Sequence, residues 1–497
     1  VRFARRAEFL SLVHEYTTKR TTNELLDEAA LFRIPSGPAL NGATVSSFPQ
    51  FAERGVFEHH DGYVAPRVPY RLAGVDRVEP VASDWAPRPA RGPVPSSAEG
   101  APPPLAGIRV VDCTAWWAGP AAGHALACLG ADVIKVESIT RPDLVRYAGG
   151  LRPPSEDQWW EWGPMFHGAN GGKRGVTLDL TRVEGIDVFE RLLTTADLLI
   201  ENYTPRVMEQ FGLGWDRVHA VNPSLVMVRM PAFGLDGPWR DHTGFAQTME
   251  SVTGMAWVTG FPDGAPVLVR GACDPLAGMH AVIAALLALE ERDRRGEGCM
   301  VEATMVEAAL NAAAEQVIEW SAVGTVLHRE GNRALGASPQ GVYRCEGDDG
   351  WIAISIVTDA QWDALRSITG VTSERSDHDA VDRELAAFAA RRDPAELAEQ
   401  LVAAGVPAAH VIAPRDVVKN PQLRHRGLFE MEHHAVTGDH ELLSLPFRLN
   451  GRPTWTGRPS PSLGQHNTEV FAELGLGPDQ IAALEAQGII GTRPSGT

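Results

Sequence analysis

The stretch richest in chemistry is Arg270-Gly-Ala-Cys-Asp-Pro-Leu-Ala-Gly-Met-His280. Asp274 stands immediately before Pro275, where a long apolar run begins. Aspartate followed by proline at a first helical position is a common N-cap signal, so the plain role of Asp274 is to cap a helix. A carboxylate placed in a cleft and oriented by backbone N–H groups is also a nucleophile able to form an acyl or thioester intermediate. Cys273 is a second candidate nucleophile; its plain role is that of a small buried apolar residue. Other catalytic patterns do not appear. There is no GxSxG elbow for a serine hydrolase. There is no HExxH, and the pairs His59-His60 and His433-His434 are adjacent, so their side chains diverge on helix or strand; no metal site is expected. Glu137 lies 24 residues beyond Cys113, where a ribose-binding acid would sit in a dinucleotide enzyme. The preceding turn reads WWAGPAAG, however, with two tryptophans where backbone should approach a pyrophosphate, and GxGxxG is missing. A helix N-terminus beside Ala118-Gly119 still suits a phosphate-bearing ligand.

The elements around these residues alternate. Apolar runs at 108–113, 131–137, 176–180, 196–201 and 225–230 read as buried parallel strands. Helices are expected between them, for instance 121–129, opened by Pro120 and closed by Gly130, and 183–195. Such alternation predicts a parallel sheet covered on both faces. After Asp274 the pattern becomes a long helix over 275–294 and another over 301–323. A second α/β region follows, with a strand at 351–356 and helices near 360–368 and 394–404. The chain closes on an amphipathic helix at 478–487.

Composition narrows the class. The 497 residues are 44% hydrophobic and 22% charged, as in ordinary globular proteins, which excludes disorder over most of the chain. A net charge of −18 disfavours nucleic acid or an anionic membrane as partner, while leaving room for a local basic pocket. No window of 18 apolar residues occurs, and no membrane association is expected. The N-terminal VRFARRAEFL lacks the apolar core of a secretory signal. Five widely spaced cysteines without CxxC suit a reduced, cytoplasmic protein.

One internal repeat stands out. Residues 49–58 read PQFAERGVFE and residues 421–430 read PQLRHRGLFE, six of ten identical. The same offset pairs Ile34-Pro35 with Val406-Pro407, and Pro69-Tyr-Arg-Leu72 matches Pro446-Phe-Arg-Leu449 after a short insertion. Residues 1–74 therefore read as the end of a first, incomplete copy, 75–103 as a proline-rich linker, and 104–497 as a complete copy. The chain opens with Val, and the expectation is a truncated tandem protein whose first copy begins upstream. Residues 1–74 are expected to carry no active site and to be loosely held or docked on the second copy.

The complete copy resembles the class III CoA-transferases, the CaiB/BaiF-type family that includes formyl-CoA and carnitine CoA-transferases. The motifs match in order: PLAGIRVVDCT…AGP…LGADVIKVE, NGGKRGVTLDL (170–180), ADLLIENYTP (196–205), NPSLVMV (222–228), DPLAGMHAVIAALLALEERDRRGEG (274–298), Gly331-Asn-Arg333, and Leu463-Gly-Gln-His466 in place of LGEH. The resemblance implies an α/β fold: a Rossmann-like parallel-sheet lobe, about 104–300 with a returning tail at 455–497, and a smaller α/β lobe, about 325–454. It implies two chains threaded through each other, hence a homodimer, or a pseudo-dimer within a full tandem chain. It implies Asp274 as nucleophile and coenzyme A contacts around Trp117, Ala118, Leu178, Thr181, Asn202, Tyr203 and Thr204. Some members carry basic residues where this chain has Ser138 and Gln210, and Arg206 is the candidate to compensate. Most carry a tyrosine- or histidine-acid pair where this chain has Phe245-Ala246.

The activity expected is transfer of CoA from an acyl-CoA to a carboxylic acid through an aspartyl anhydride and an aspartyl-CoA thioester. Acyl-CoA is the substrate, and no permanently bound cofactor is expected. An α-methylacyl-CoA racemase shares the fold but needs a proton-carrying residue at Phe245. A non-catalytic CoA-binding module is the third alternative. Trp159, Trp160 and Trp162 are candidates for either an acyl pocket or the core.

Overall fold

The computed structural model describes residues 5–74, 103–149, 156–447, 449 and 454–496. The linker expected at 75–103 falls outside the described residues except for its last position. The chain divides into two compact units: Val1–Ala256, Leu268–Leu327 and Leu428–Thr497 form the first, and Trp257–Val267 with His328–Gly427 the second.

The first unit is built on a seven-stranded sheet. Its spatial order is Tyr70–Leu72, Met300–Ala303, Val226–Arg229, Leu198–Glu201, Arg109–Asp112, Asp132–Glu137, Arg174–Thr177. Six strands run parallel, and Tyr70–Leu72 is antiparallel to Met300–Ala303 at the edge. Leu198–Glu201, Val226–Arg229 and Arg174–Thr177 are buried at every position, which is why Leu198 to Ile200 and Val226 to Val228 read as apolar runs and not as alternation. From Arg109–Asp112 the chain winds outward to Arg174–Thr177, then restarts on the other side at Leu198–Glu201. This is the doubly wound order, and it leaves a crevice at the carboxyl ends of Arg109–Asp112 and Leu198–Glu201 where the winding reverses. Helices Asn467–Glu473 and Pro478–Ala486 close the sheet on the Arg174–Thr177 side, where Thr177 N donates to Asn467 Oδ1 (2.8 Å) and Gly491 N to Thr177 Oγ1 (2.9 Å).

The helix expected over 301–323 is instead the strand Met300–Ala303 followed by helices Met305–Ala312 and Ala314–Val323. Met300–Ala303, with Glu302 inside it, is too short for periodicity to separate strand from helix; pairing beside Val226–Arg229 decides it.

Helix Cys273–Arg295 is long and apolar enough to cross a membrane by length and composition. In this fold its small residues Ala277, Ala281, Ala284, Ala285 and Ala288 belong to the main core, together with Ala118, Ala122 and Ala125 of helix Ala118–Cys128.

The second unit is an antiparallel sheet, Gln340–Arg344, Trp351–Ser355 and Ala408–His410. Helices Asp359–Thr369, His378–Ala389 and Pro394–Ala403 contribute Trp362, Leu365, Val381, Leu385, Leu397 and Leu401 to its core. The hairpin Phe429–His434 and Gly438–Leu443, expected in the smaller lobe, falls in the first unit.

The two copies of the repeat have opposite fates. Helices Arg6–Thr17 and Thr22–Leu31 bury no residue. Residues 42–72, in contrast, are part of the first unit's core, with Val45, Phe51 and Val56 fully buried. Gln50 Nε2 donates to Phe233 O (2.6 Å) and Asp236 O (2.9 Å), and its Oε1 accepts from Trp239 N (2.6 Å). The buried Arg54 donates to Glu307 (2.9 Å), Glu302 (2.8 Å) and Thr304 (3.2 Å), and pairs with Asp236. At the equivalent positions of the second copy, Gln422 and Arg426 are exposed. Removing one member of a buried ionic cluster leaves charges unpaired in the interior. Arg54→Ala is therefore expected to cost about 3–5 kcal/mol in denaturant unfolding, and Arg426→Ala to stay within about 0.5 kcal/mol of the parent.

Candidate active site

The turn between strand Arg109–Asp112 and helix Ala118–Cys128 sits at the reversal of the sheet, and buried polar side chains hold it. Asn202, just beyond the neighbouring strand, accepts from Ala115 N and donates to Ala115 O, both at 2.8 Å. Lys135 Nζ donates to Thr114 O (2.9 Å) and lies 3.2 Å from Asp143. Asp143 accepts from Trp116 N (3.0 Å). Asp112 accepts from Thr114 N (2.9 Å) and from Lys173 Nζ (2.7 Å). Burial lowers the Lys173 ammonium to about 8, against the pull of Asp112. Every charge in this group is paired, the condition under which charges persist in an interior. The turn so held puts Trp116 in the left-handed region, at φ +68°, with its ring 5.2 Å from that of Phe245.

Helix Cys273–Arg295 packs closely against helix Ala118–Cys128. A Cβ on Gly278 would lie 2.6 Å from Ala118 O, and a Cβ on Gly271 would lie 2.7 Å from the Trp117 ring. These contacts place residues 271–274 beside Trp117 and Ala118. Asp274 is not the N-cap: Ala272 holds that position, and Asp274 lies inside the first turn, half-buried, with no capping hydrogen bond. Cys273 Sγ is 3.8 Å from Asp274 Oδ1. Burial raises the Asp274 carboxyl to about 6; the Cys273 thiol lowers it, and the charge of Glu250 adds to the rise. Burial pushes the Cys273 thiol well above its usual range, so it is no ready thiolate.

The remaining expected residues divide. Trp117, Ala118, Asn202, Tyr203, Thr204 and Arg206 all lie at the reversal, after the ends of Arg109–Asp112 and Leu198–Glu201. Asn202 spends its amide on the turn. Tyr203 packs against an apolar cluster, and burial drives its phenol far up. Thr204 O accepts from Val207 N at the start of helix Arg206–Gln210. Arg206 is half-buried, and its guanidinium makes no hydrogen bond or ion pair among the described residues. Leu178 is a core side chain, and Thr181 donates to Asp179 (2.7 Å), both beyond strand Arg174–Thr177. Ser138 bonds Thr140 (2.8 Å). Glu137, the would-be ribose acid, is held by Arg146 (2.7 Å), which also pairs with Glu161. Trp160 is buried in the core, and Trp159 stacks 4.8 Å from Tyr147. Among the described residues no group of three metal-ligating side chains occurs. Lys135, Asp143 and Glu250 were not singled out from the sequence. Lys135 sits in a segment that reads as an ordinary strand, Glu250 in one given no element, and only the fold brings them to the turns.

The assembled arrangement is a half-buried carboxylate at the start of a long helix, beside a rigid turn at a doubly wound crevice, with Arg206 following the neighbouring strand Leu198–Glu201. The profile of CoA-transferase family III matches residues 105–467. A succinyl-CoA–D-citramalate CoA-transferase of Chloroflexus aurantiacus is 32% identical over 79% of this chain and all of its own length. A probable CoA-transferase of Mycobacterium tuberculosis is 29% identical over 84% of this chain, which corresponds to 53% of that relative. The crystal structure of a CaiB/BaiF family protein from Brucella suis superposes with a TM-score of 0.69, at 28% identity, over 75% of this chain and all of that one. Ordered motifs, doubly wound sheet and matched relatives agree, and the chain belongs to CoA-transferase family III.

Proposed function

We propose that Asp274 carries CoA between two carboxylic acids. The observation behind this is its setting: a half-buried carboxylate, free of capping duty, beside the turn at the crevice. An Asp274 oxygen attacks the thioester carbonyl of the donor acyl-CoA. The C–S bond breaks, leaving a mixed anhydride and CoA thiolate. The thiolate attacks the aspartyl carbonyl and releases the donor acid, which gives an aspartyl-CoA thioester. An acceptor carboxylate attacks that carbonyl and displaces the thiolate, which returns to the acceptor's own carbonyl and restores Asp274. Each exchange keeps the thioester's free energy that hydrolysis would dissipate. The N–H groups of Cys273 and Asp274, at the helix start where no intrahelical acceptor is available, suit the developing oxyanions; Pro275 has none, and Leu276 N is bonded to Ala272 O. The start of helix Ala118–Cys128 and Arg206 suit the phosphates of CoA, in place of the basic residues missing at Ser138 and Gln210. Five free cysteines fit the cytoplasm as the place of action. The racemase alternative lacks its proton carrier, because Phe245 has no titratable group; its ring packs edge-on against Trp116.

The pairing of modules is the second part of the proposal. Residues 49–72 fill a groove lined by Phe233, Asp236, Trp239, Glu302 and Glu307. The second copy, with Leu428 half-buried and Arg426, Phe447 and Leu449 exposed, is built to fill a like groove on another module. A homodimer of this chain needs the partner's segment to take the place of residues 49–72. A longer chain with a second lobe needs no displacement, and the M. tuberculosis relative has length beyond the match.

Isotope exchange between labelled free acid and acyl-CoA tests the activity: a transferase gives exchange, a racemase only epimerisation, a binding module neither. Asp274→Ala and Asp274→Asn are expected to retain less than about a hundredth of the rate, a loss of at least roughly 3 kcal/mol of transition-state stabilisation. For the assembly, Arg426→Glu is expected to lower the mass seen by light scattering at micromolar concentration without changing the unfolding midpoint. An unchanged mass would remove this surface from the interface.

A further inference from the structure

Glu250 is fully buried on helix Ala246–Val252, and its carboxylate has no ion pair among the described residues. A buried carboxylate without a cation survives only if hydrogen bonds stabilise the charge. Three backbone groups supply them: Arg270 N donates to Oε2 (2.9 Å), and Gly271 N (2.7 Å) and Ala272 N (3.0 Å) donate to Oε1. These three residues form the turn directly before Cys273 and Asp274. The turn is not one the backbone adopts freely. Arg270 lies in the left-handed region at φ +69° and Gly271 at φ +119°, with the Trp117 ring against Gly271. A side chain of the right length, gripping three successive N–H groups, fixes a conformation that the local sequence does not favour by itself.

We propose that Glu250 is a positioning residue for Asp274: its carboxylate locks the 270–272 turn, and so sets where the first turn of helix Cys273–Arg295 presents the nucleophile. The proposal rests on Asp274 being that nucleophile. Glu250 touches no reacting atom and acts through the turn. It also places a fixed negative charge near Asp274. Cys273 and Glu250 are the titratable groups that act on that carboxyl, and Glu250 is the one raising it, in addition to burial. A carboxylate held up to about 6 in this way is half ionised near that pH and is a stronger nucleophile once ionised.

Glu250→Gln tests this. It keeps the volume, removes the charge, and gives the turn an amide that accepts poorly from three N–H groups. kcat is expected to fall about tenfold or more, since small misplacements of a reacting group are costly. KM for acyl-CoA should change little, and the acid limb of the kcat/KM profile should move to lower pH. A merely structural role would reduce the folded fraction and leave that limb where it was. Glu250→Asp is the companion, and it carries the test alone if Glu250→Gln does not fold. It keeps a charge on a shorter arm, so kcat should drop with the acid limb near its parent position. A folded Glu250→Gln with kcat within twofold of the parent and an unmoved acid limb would overturn the proposal. Should Glu250→Gln not fold, a Glu250→Asp enzyme with parental kcat would do the same. Asp274→Asn, measured alongside, separates the two ideas. If it stays active, the nucleophile reading fails. If it is dead while Glu250→Gln is unchanged, only the positioning role fails.

Discussion

The site depends on two helices being able to touch. Gly278 lets helix Cys273–Arg295 come within van der Waals range of the Ala118 carbonyl, where a side chain would lie 2.6 Å from that oxygen. Alanines on both helices continue the close contact into the core. This approach brings the first turn of one helix next to the first turn of the other, so that Asp274 lies beside Trp117 and Ala118. Interiors are close-packed, and a larger residue at Gly278 cannot be absorbed without moving one helix. The location of Asp274, the proposed nucleophile, is thus set by a packing constraint a turn away from it.

Close packing of that kind needs rigid ends. The turn 114–117 has no glycine-rich sequence to shape it, and it is held by side chains from two strands, Asp112 and Lys135, and from segments flanking the sheet, Asp143, Lys173 and Asn202. The turn before Asp274 is held by three hydrogen bonds to Glu250. In both places a buried polar group fixes backbone that local propensity would leave free. The same means anchors residues 49–72, where Arg54 sits among Glu302, Glu307 and Asp236. This ties the first copy of the repeat to strand Met300–Ala303 and the helix that follows it.

Much of the architecture was legible because parallel strands announce themselves. Val110-Val111, Leu198 to Ile200 and Val226 to Val228 are buried on both faces and give apolar runs that no other element explains as simply. Met300–Ala303 was missed because four residues with Glu302 among them merge with the helix after them, and only the neighbour in the sheet separates the two. The repeat was visible, yet not its docking. Nothing in PQFAERGVFE and PQLRHRGLFE says that Arg54 is buried and Arg426 exposed, since the acceptor carboxylates lie some 250 residues away along the chain. Asp274 was legible as the candidate nucleophile through the ordered motifs, while its plain reading as an N-cap was wrong. The helix starts two residues earlier than Asp-Pro suggests, because Glu250 holds the preceding turn. Long-range polar contacts of this sort leave no periodicity to read.

The central claim is that CoA passes through covalent attachment to Asp274. Mixing the enzyme with an acyl-CoA substrate and analysing its peptides by mass spectrometry tests this directly. The account predicts a CoA adduct on the peptide containing Asp274, removed by hydroxylamine to leave a hydroxamate at that residue. Transfer activity with no adduct at Asp274, or with the adduct on another residue such as Cys273, would contradict it.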